Sequence, residues 1–191
     1  MFSINVKSSS VNIIATFYME AVTVWIQSQA ANGNHFIRYG SYSRKTPPEI
    51  PLAICRVQSP EGDTHALIPC FIIAYDRVKS YIKELVNRKI CYEEATIEQL
   101  AELFNVEPIT ISRWWKQFKS QIDGLLAWLA KQLADTNQTT DWISGKYDSE
   151  RVKGRKVFEL LNRYARGFPG FPYDNFALVN LMDSSLFSKS Q

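Results

Sequence analysis

The residues whose types and spacing most clearly suggest chemistry are Arg113 and Lys116, in the stretch ITISRWWKQF. An arginine guanidinium can donate two parallel hydrogen bonds to the edge of a guanine, and a lysine ammonium suits a phosphate oxygen. If the stretch is helical, polar and apolar neighbours share the exposed side with these two cations. The spacing favours a helix that contacts double-stranded DNA, and its predicted DNA-binding residues are Ile109, Thr110, Ser112, Arg113 and Lys116.

Catalytic groups do not combine into a recognisable pattern. The sequence has neither a glycine-rich phosphate loop nor a GxSxG motif. Cys91 has basic neighbours but no candidate base beside it, and we interpret it as a passive thiol. The acids after residue 118 fall on predicted linkers and helices, without the strands that carry the metal-binding carboxylates of a transposase catalytic domain. We therefore expect no enzymatic activity, no catalytic residue and no cofactor.

The cysteines indicate a reducing compartment. Cys55, Cys70 and Cys91 are odd in number and form no CxxC pair, which argues against a disulfide framework and predicts a cytoplasmic protein. The apolar stretch VNIIATFYMEAVTVWI resembles a signal-peptide core, but Glu20 interrupts it, which favours a buried amphipathic helix. No other stretch approaches the roughly 18 apolar residues of a membrane span, so we expect no membrane partner.

Residues 96–118 fit a helix-turn-helix at several fixed positions. Ala101 supplies the small residue at which the two helices cross, and Asn105 tolerates the positive φ angle of the corner. Pro108 suits the first position of the second helix, where its missing N–H costs nothing. The predicted buried residues are Ile111, Trp114 and Phe118 on the second helix, and Leu100, Leu103 and Phe104 on the first. The alternative is an αα-hairpin in a helical core, which accounts for the burial but not for the exposed polar row.

A second source of positive charge follows this segment. Residues 96–145 carry 4 basic and 6 acidic groups, whereas residues 146–166 carry 7 basic and 3 acidic groups. The pattern predicts a basic amphipathic helix from about residue 149 to residue 166, capped at Gly167. Its cations lie on more than one face, so a phosphate-tracking role and a solvated charged face are equally good interpretations. The candidate DNA-binding residues here are Arg151, Lys153 and Arg155.

The organisation along the chain predicts an α+β fold. We assign residues 1–76 to an N-terminal helix and a small antiparallel, zinc-ribbon-like sheet, because short β-type runs alternate there with turn signals. Helical periodicity marks residues 77–134 as a helix-turn-helix domain. Residues 135–191 comprise a polar linker, the basic helix and an aromatic tail.

The chain resembles a bacterial family of uncharacterised proteins related to transposase N-termini. The resemblance rests on HFIRYGSYSR (35–44), IPLAICRVQSPEGDTHALIP (50–69) and the helix-turn-helix, and it covers roughly residues 20–120. It implies a zinc ribbon followed by a DNA-binding helix pair. Where such proteins have their cysteine pairs, however, this chain has Ser59 to Gly62 and the stretch QSQAANGN. His35 and His65 alone are a poor ligand set for zinc, and we expect no metal.

These observations predict a non-catalytic DNA-binding protein of mobile-element origin. We expect it to bind DNA as a homodimer, because one helix-turn-helix reads few base pairs. The alternative is a protein-interaction module or domesticated remnant in which the helix pair is only structural.

Overall fold

The computed structural model describes residues 2–4, 11–44, 52–72, 78–135 and 147–187. The protein has an α+β fold in which a small sheet precedes a set of helices, as predicted. The chain divides into two compact units: residues 1–80 together with 172–191, and residues 81–171. The two units are not consecutive in sequence, because the C-terminal segment belongs to the first one.

The sheet of the first unit has four strands in the order β1–β4–β3–β2. Its strands are β1 (Phe2–Ile4), β2 (Ile37–Arg44), β3 (Leu52–Gln58) and β4 (Thr64–Pro69). The predicted antiparallel arrangement is confirmed for β2, β3 and β4, while β1 adds a parallel edge beside β4 that the sequence did not predict. The register of β2 shifts between Arg38 and Gly40, where glycine adopts a φ of +136°.

The turn between β3 and β4 is formed by residues 59–63. The main-chain N–H of Ser59 donates to the carbonyl of Asp63 at 2.8 Å, and that of Gly62 donates to the carbonyl of Ser59 at 3.0 Å. Gly62 has a φ of +92°, which side chains other than glycine seldom adopt. Main-chain hydrogen bonds and a glycine therefore close this turn.

Helix α1 (Val11–Ala31) is attached to the sheet by a buried tyrosine. The hydroxyl of Tyr18 donates to the carbonyl of Leu67 and accepts from the N–H of Cys55, both at 2.7 Å. The paired residues of β3 and β4 run from Gln58–Thr64 to Arg56–Ala66. The Tyr18 hydroxyl therefore bridges the main-chain groups of Cys55 and Leu67, which directly follow the last pair. Burial raises the pKa of Tyr18, which keeps the hydroxyl protonated as a donor. The prediction of an N-terminal helix is confirmed.

The aromatic tail returns to the first unit as helix α6 (Asn175–Met182), followed by a 3₁₀ turn (Ser184–Phe187). The side-chain amide of Asn180 is buried and donates to the carbonyls of Cys70 and Ile72, at 2.8 and 3.1 Å. These bonds satisfy main-chain acceptors just beyond β4. The sequence predicted an aromatic tail in this region but not its helical form.

The second unit is helical. Its helices are α2 (Ser80–Cys91), whose first residue belongs to the first unit, α3 (Ile97–Leu103), α4 (Pro108–Asp135) and α5 (Glu150–Ala165). A first core joins α2, α3 and α4 through Val86, Ile90, Leu100, Ala101 and Ile111. Further along α4, the ring of Phe118 stacks on that of Phe158 from α5 at 5.3 Å. Helix α4 is unbroken, so the predicted second helix of the motif and the apolar stretch after it are one 28-residue element.

Helix α5 confirms the predicted basic helix but not its predicted end. Ser149 caps its first turn by accepting from the N–H of Val152 at 3.3 Å. The C-terminal cap is Arg166 in a right-handed conformation, and Gly167 has no positive φ angle. The glycine cap expected at Gly167 was wrong, because the chain turns here through successive hydrogen bonds to carbonyls of the last helical turn.

No helix within the described residues is both long enough and apolar enough to cross a bilayer.

Candidate nucleic-acid interface

Helix α3 begins with a reciprocal cap between Thr96 and Gln99. The hydroxyl of Thr96 accepts from the N–H of Gln99 at 3.3 Å, and the side-chain oxygen of Gln99 accepts from the N–H of Thr96 at 2.8 Å. Two main-chain donors without helical partners are thereby satisfied. Ala101 is only 4% exposed in the core shared with α4, which confirms its place at the helix crossing.

The corner between α3 and α4 is a tight turn centred on Asn105, whose φ is +50°. This left-handed conformation is open to asparagine at lower cost than to most residues. The N–H of Val106 donates back to the carbonyl of Ala101 at 2.9 Å, and the half-buried side chain of Val106 packs against the core. Pro108 opens α4 at the position predicted for it. Residues 96–118 thus form two helices and a corner, the arrangement on which the DNA interpretation depends.

The buried side of α4 agrees with the predicted stripe, and the facing stripe agrees only in part. Ile111 and Phe118 are buried, and Trp114 is half-buried against the core. Leu100 is fully buried on α3, but Leu103 is 64% exposed. The predicted burial of Leu103 was wrong, because Leu103 ends α3 and the chain then turns at Phe104 and Asn105.

The opposite side of α4 presents the predicted DNA-binding row. Ile109, Arg113 and Lys116 are exposed and follow one another at i, i+4 and i+7, which places them on one face. Ser112 is partly exposed in the same row, and Thr110 is partly exposed at its flank. Across the described ranges, no acidic group forms an ion pair with Arg113 or Lys116. Both cations therefore project from the face without a partner in that part of the chain.

The cations of α5 differ, because the three predicted DNA-binding residues on this helix are all ion-paired. Arg151 contacts Glu93 at 2.7 Å, and Arg155 contacts the other oxygen of Glu93 at 3.0 Å. Lys153 contacts Asp123 of α4 at 3.2 Å and Glu150 at 3.5 Å. Hydrogen bonds and charge from Arg151 and then Arg155 lower the pKa of the Glu93 carboxyl, and the Asp123 hydrogen bond raises the pKa of Lys153. These candidate phosphate contacts thus have carboxylate partners within their own unit.

Arg155 also makes a hydrogen bond to the C-terminal end of α2. Its Nε donates to the main-chain carbonyl of Cys91, the last residue of that helix. Helix C-termini carry partial negative charge and unpaired carbonyls, so a guanidinium is stabilising there. Glu93 follows in a left-handed conformation with a φ of +59°. These links could not be predicted from one sequence, because Glu93 and Arg155 are 62 positions apart.

Cys91 is buried beneath these groups. Burial raises the pKa of its thiol to about 12, which outweighs the opposing effect of Arg155, Arg151 and Arg88. A Cβ atom added at Gly154 of α5 would lie 2.3 Å from the sulfur. The thiol therefore fills a close helix contact and stays protonated near neutral pH, in keeping with a passive role. Within the described residues, no group of three or more His, Cys, Asp or Glu side chains is placed to hold a metal ion.

Acidic side chains mark the α3 side of the motif. Residues 93–107 contain five glutamates and no lysine or arginine, and all five glutamates are exposed: Glu93, Glu94, Glu98, Glu102 and Glu107. An open cleft of about 370 Å³ is lined by Glu93, Glu94 and Glu98, together with Ile90, Trp115 and Arg151. The helix pair thus has one cationic row and one acidic side.

Comparison with protein-family models, curated proteins and solved structures gave no match.

Proposed function

We propose that this protein is a non-catalytic DNA-binding protein that reads the major groove with the first half of α4. The observation that carries this proposal is the exposed row of Ile109, Arg113 and Lys116 directly after a left-handed corner at Asn105. In a helix-turn-helix, this part of the second helix enters the groove. Arg113 serves as the guanine reader, and Lys116 contacts a phosphate.

The core geometry supports this use of the helix. Ala101, Leu100 and Ile111 hold α3 against α4 on the buried side, which leaves the polar row of α4 open. Helix α2 contributes Val86 and Ile90 to the same core and so makes a three-helix support. A rigid support matters because base readout requires donors held in a fixed position.

The charge distribution sets the expected strength of binding. Arg113 and Lys116 offer two cations, whereas Arg151, Lys153 and Arg155 are paired with carboxylates. The exposed carboxylates of Glu98, Glu102 and Glu107 repel phosphates that approach from the α3 side. Since non-specific affinity comes mainly from phosphate neutralisation, we expect weak non-specific binding and a low salt slope. Two copies on a two-part site would compensate for the small number of contacts.

The resemblance of residues 20–120 to transposase N-termini supports an origin in a mobile element. The hydrogen-bonded turn from Ser59 to Asp63 is consistent with a ribbon that has exchanged its metal for main-chain contacts. Tyr18 adds a second replacement by bridging β3 and β4.

The decisive experiment for the function is selection of bound sequences from a random duplex pool at low ionic strength. Enrichment of one motif, with affinity that falls as salt rises, is the expected result. A protein that binds no duplex under these conditions is not a DNA-binding protein.

A second candidate function is protein interaction, favoured by the glutamates of residues 93–107 beside the open cleft. In that case the helix pair is structural and a basic protein segment is the partner. A lysine- and arginine-rich peptide would then bind the wild type and bind Glu98→Gln and Glu102→Gln more weakly. The same variants would leave duplex binding unchanged or stronger if the DNA proposal is correct.

A further inference from the structure

Ile109 is an apolar residue in an otherwise polar row. It is the second residue of α4, it is 57% exposed, and it does not belong to the apolar core beneath the helix. Arg113 lies one turn further along the same face. A single exposed apolar side chain is ordinary on a protein surface, but this one occupies the helical turn that would penetrate deepest into the groove.

The chemistry of the major groove offers one apolar partner there. Among the groups that base pairs present in this groove, the C5-methyl group of thymine is the apolar one. Isoleucine is branched at Cβ and has few rotamers in a helix, so little side-chain freedom is lost when it packs against a methyl group. We infer that Ile109 contacts a thymine methyl and makes thymine the preferred base at one position of the DNA site. This inference rests on the proposed function and adds a base identity to it.

Helix geometry places this thymine relative to the guanine read by Arg113. The Cβ atoms of residues four apart on a helix are about 5–6 Å from each other. Successive base pairs are about 3.4 Å apart along the duplex. The thymine read by Ile109 therefore lies within about two base pairs of the position read by Arg113.

Uracil substitution tests the contact, because deoxyuridine lacks only the methyl group. In the duplex selected from the random pool, each thymine is replaced singly by deoxyuridine. At one thymine, the wild type should lose affinity about fourfold, the size expected when one methyl group leaves an apolar contact. Ile109→Ala should bind the thymine and uracil duplexes equally. The position should lie within two base pairs of the one at which Arg113→Ala relaxes base preference.

Leu103→Ala is the matched control. Leu103 is more exposed than Ile109 and lies on the other side of the corner, on α3. Its loss removes similar apolar surface and should leave the thymine–uracil difference in affinity intact.

The inference is overturned if no uracil duplex binds more weakly than its parent, or if Ile109→Ala keeps the wild-type difference. It also fails if the sensitive thymine lies far from the Arg113 position. If Arg113→Ala weakens binding while every uracil duplex binds normally, only this inference fails; if the wild type binds no duplex, the proposed function fails as well.

Discussion

The guanidinium of Arg155 caps α2 by donating to the carbonyl of Cys91, and its other end contacts Glu93 at 3.0 Å. One side chain of α5 thus binds both the main-chain carbonyl of the last residue of α2 and the carboxylate of Glu93, two residues further on. Arg155 was a candidate phosphate contact from its sequence context. Its contacts in the structure instead join α5 to the end of α2 and to the segment that leads into α3.

Replacement of Arg155 should therefore lower stability more than it lowers DNA affinity. We expect Arg155→Ala to destabilise the helical unit by about 1–2 kcal/mol, because a charge-assisted hydrogen bond and a helix cap are lost together. Native-state hydrogen exchange of α2 and α5 would measure the change. Lys156→Ala, which removes an ion pair between Lys156 and Glu159 on the same helix, should change exchange less. Equal effects of the two variants would contradict the capping role.

Gly154 and Cys91 should show strong energetic coupling. Alanine normally stabilises a helix interior relative to glycine by roughly 1 kcal/mol, but at Gly154 its Cβ would lie 2.3 Å from the Cys91 sulfur. We expect Gly154→Ala to destabilise by about 1–3 kcal/mol through overpacking. In the double variant with Cys91→Ala, the clash is removed and most of this loss should be recovered. Additive effects in urea unfolding would show that the two residues do not touch.

Asn105 should tolerate glycine and resist branched residues. Its φ of +50° suits glycine at least as well as asparagine, so Asn105→Gly should change the free energy of unfolding by less than about 1 kcal/mol. Asn105→Val should cost about 1–3 kcal/mol, because a β-branched residue is strained in this region. Thermal unfolding of both variants tests the corner. An Asn105→Val variant that unfolds at the wild-type temperature would mean that residue 105 does not adopt a left-handed conformation.

Glu93 should contribute to acid sensitivity. Arg151 and Arg155 lower its pKa in the folded protein, so its ion pairs stabilise the fold above the ordinary glutamate pKa. This contribution is lost as pH falls through the lower folded value. Below about pH 4, wild type should therefore lose stability more steeply than Glu93→Gln, whose side chain does not titrate. Urea unfolding measured from pH 6 downward gives the dependence of the unfolding free energy on pH for both proteins. Parallel curves would show that Glu93 does not contribute to acid sensitivity.

The local features of the motif were predictable because they depend on neighbouring residues. Thr96 with Gln99, Asn105 and Pro108 each act within a few positions of the chain, and the cap and corner follow from their own chemistry. Leu103 was misassigned because helical periodicity does not reveal that α3 ends there. The Tyr18 bridge and the Arg155 cap join residues far apart in sequence, for which one chain alone provides no signal. The ion pairs of α5 with Glu93 and Asp123 also join residues far apart in sequence. They determine whether the cations of α5 are available to bind a phosphate.

The salt dependence of duplex binding tests the central proposal most directly. Lys116→Ala should weaken binding to the selected duplex and to other duplexes alike, and should lower the slope of log affinity against log salt by about one unit for each bound copy. Arg113→Ala should cost about 1–3 kcal/mol and relax preference at one base position. Lys131→Ala is the control, because Lys131 is exposed on the same helix, about 22 Å beyond Lys116 at 1.5 Å per residue. It should bind like the wild type. If the wild type shows no salt-sensitive duplex binding, or if all three variants bind alike, α4 does not read DNA.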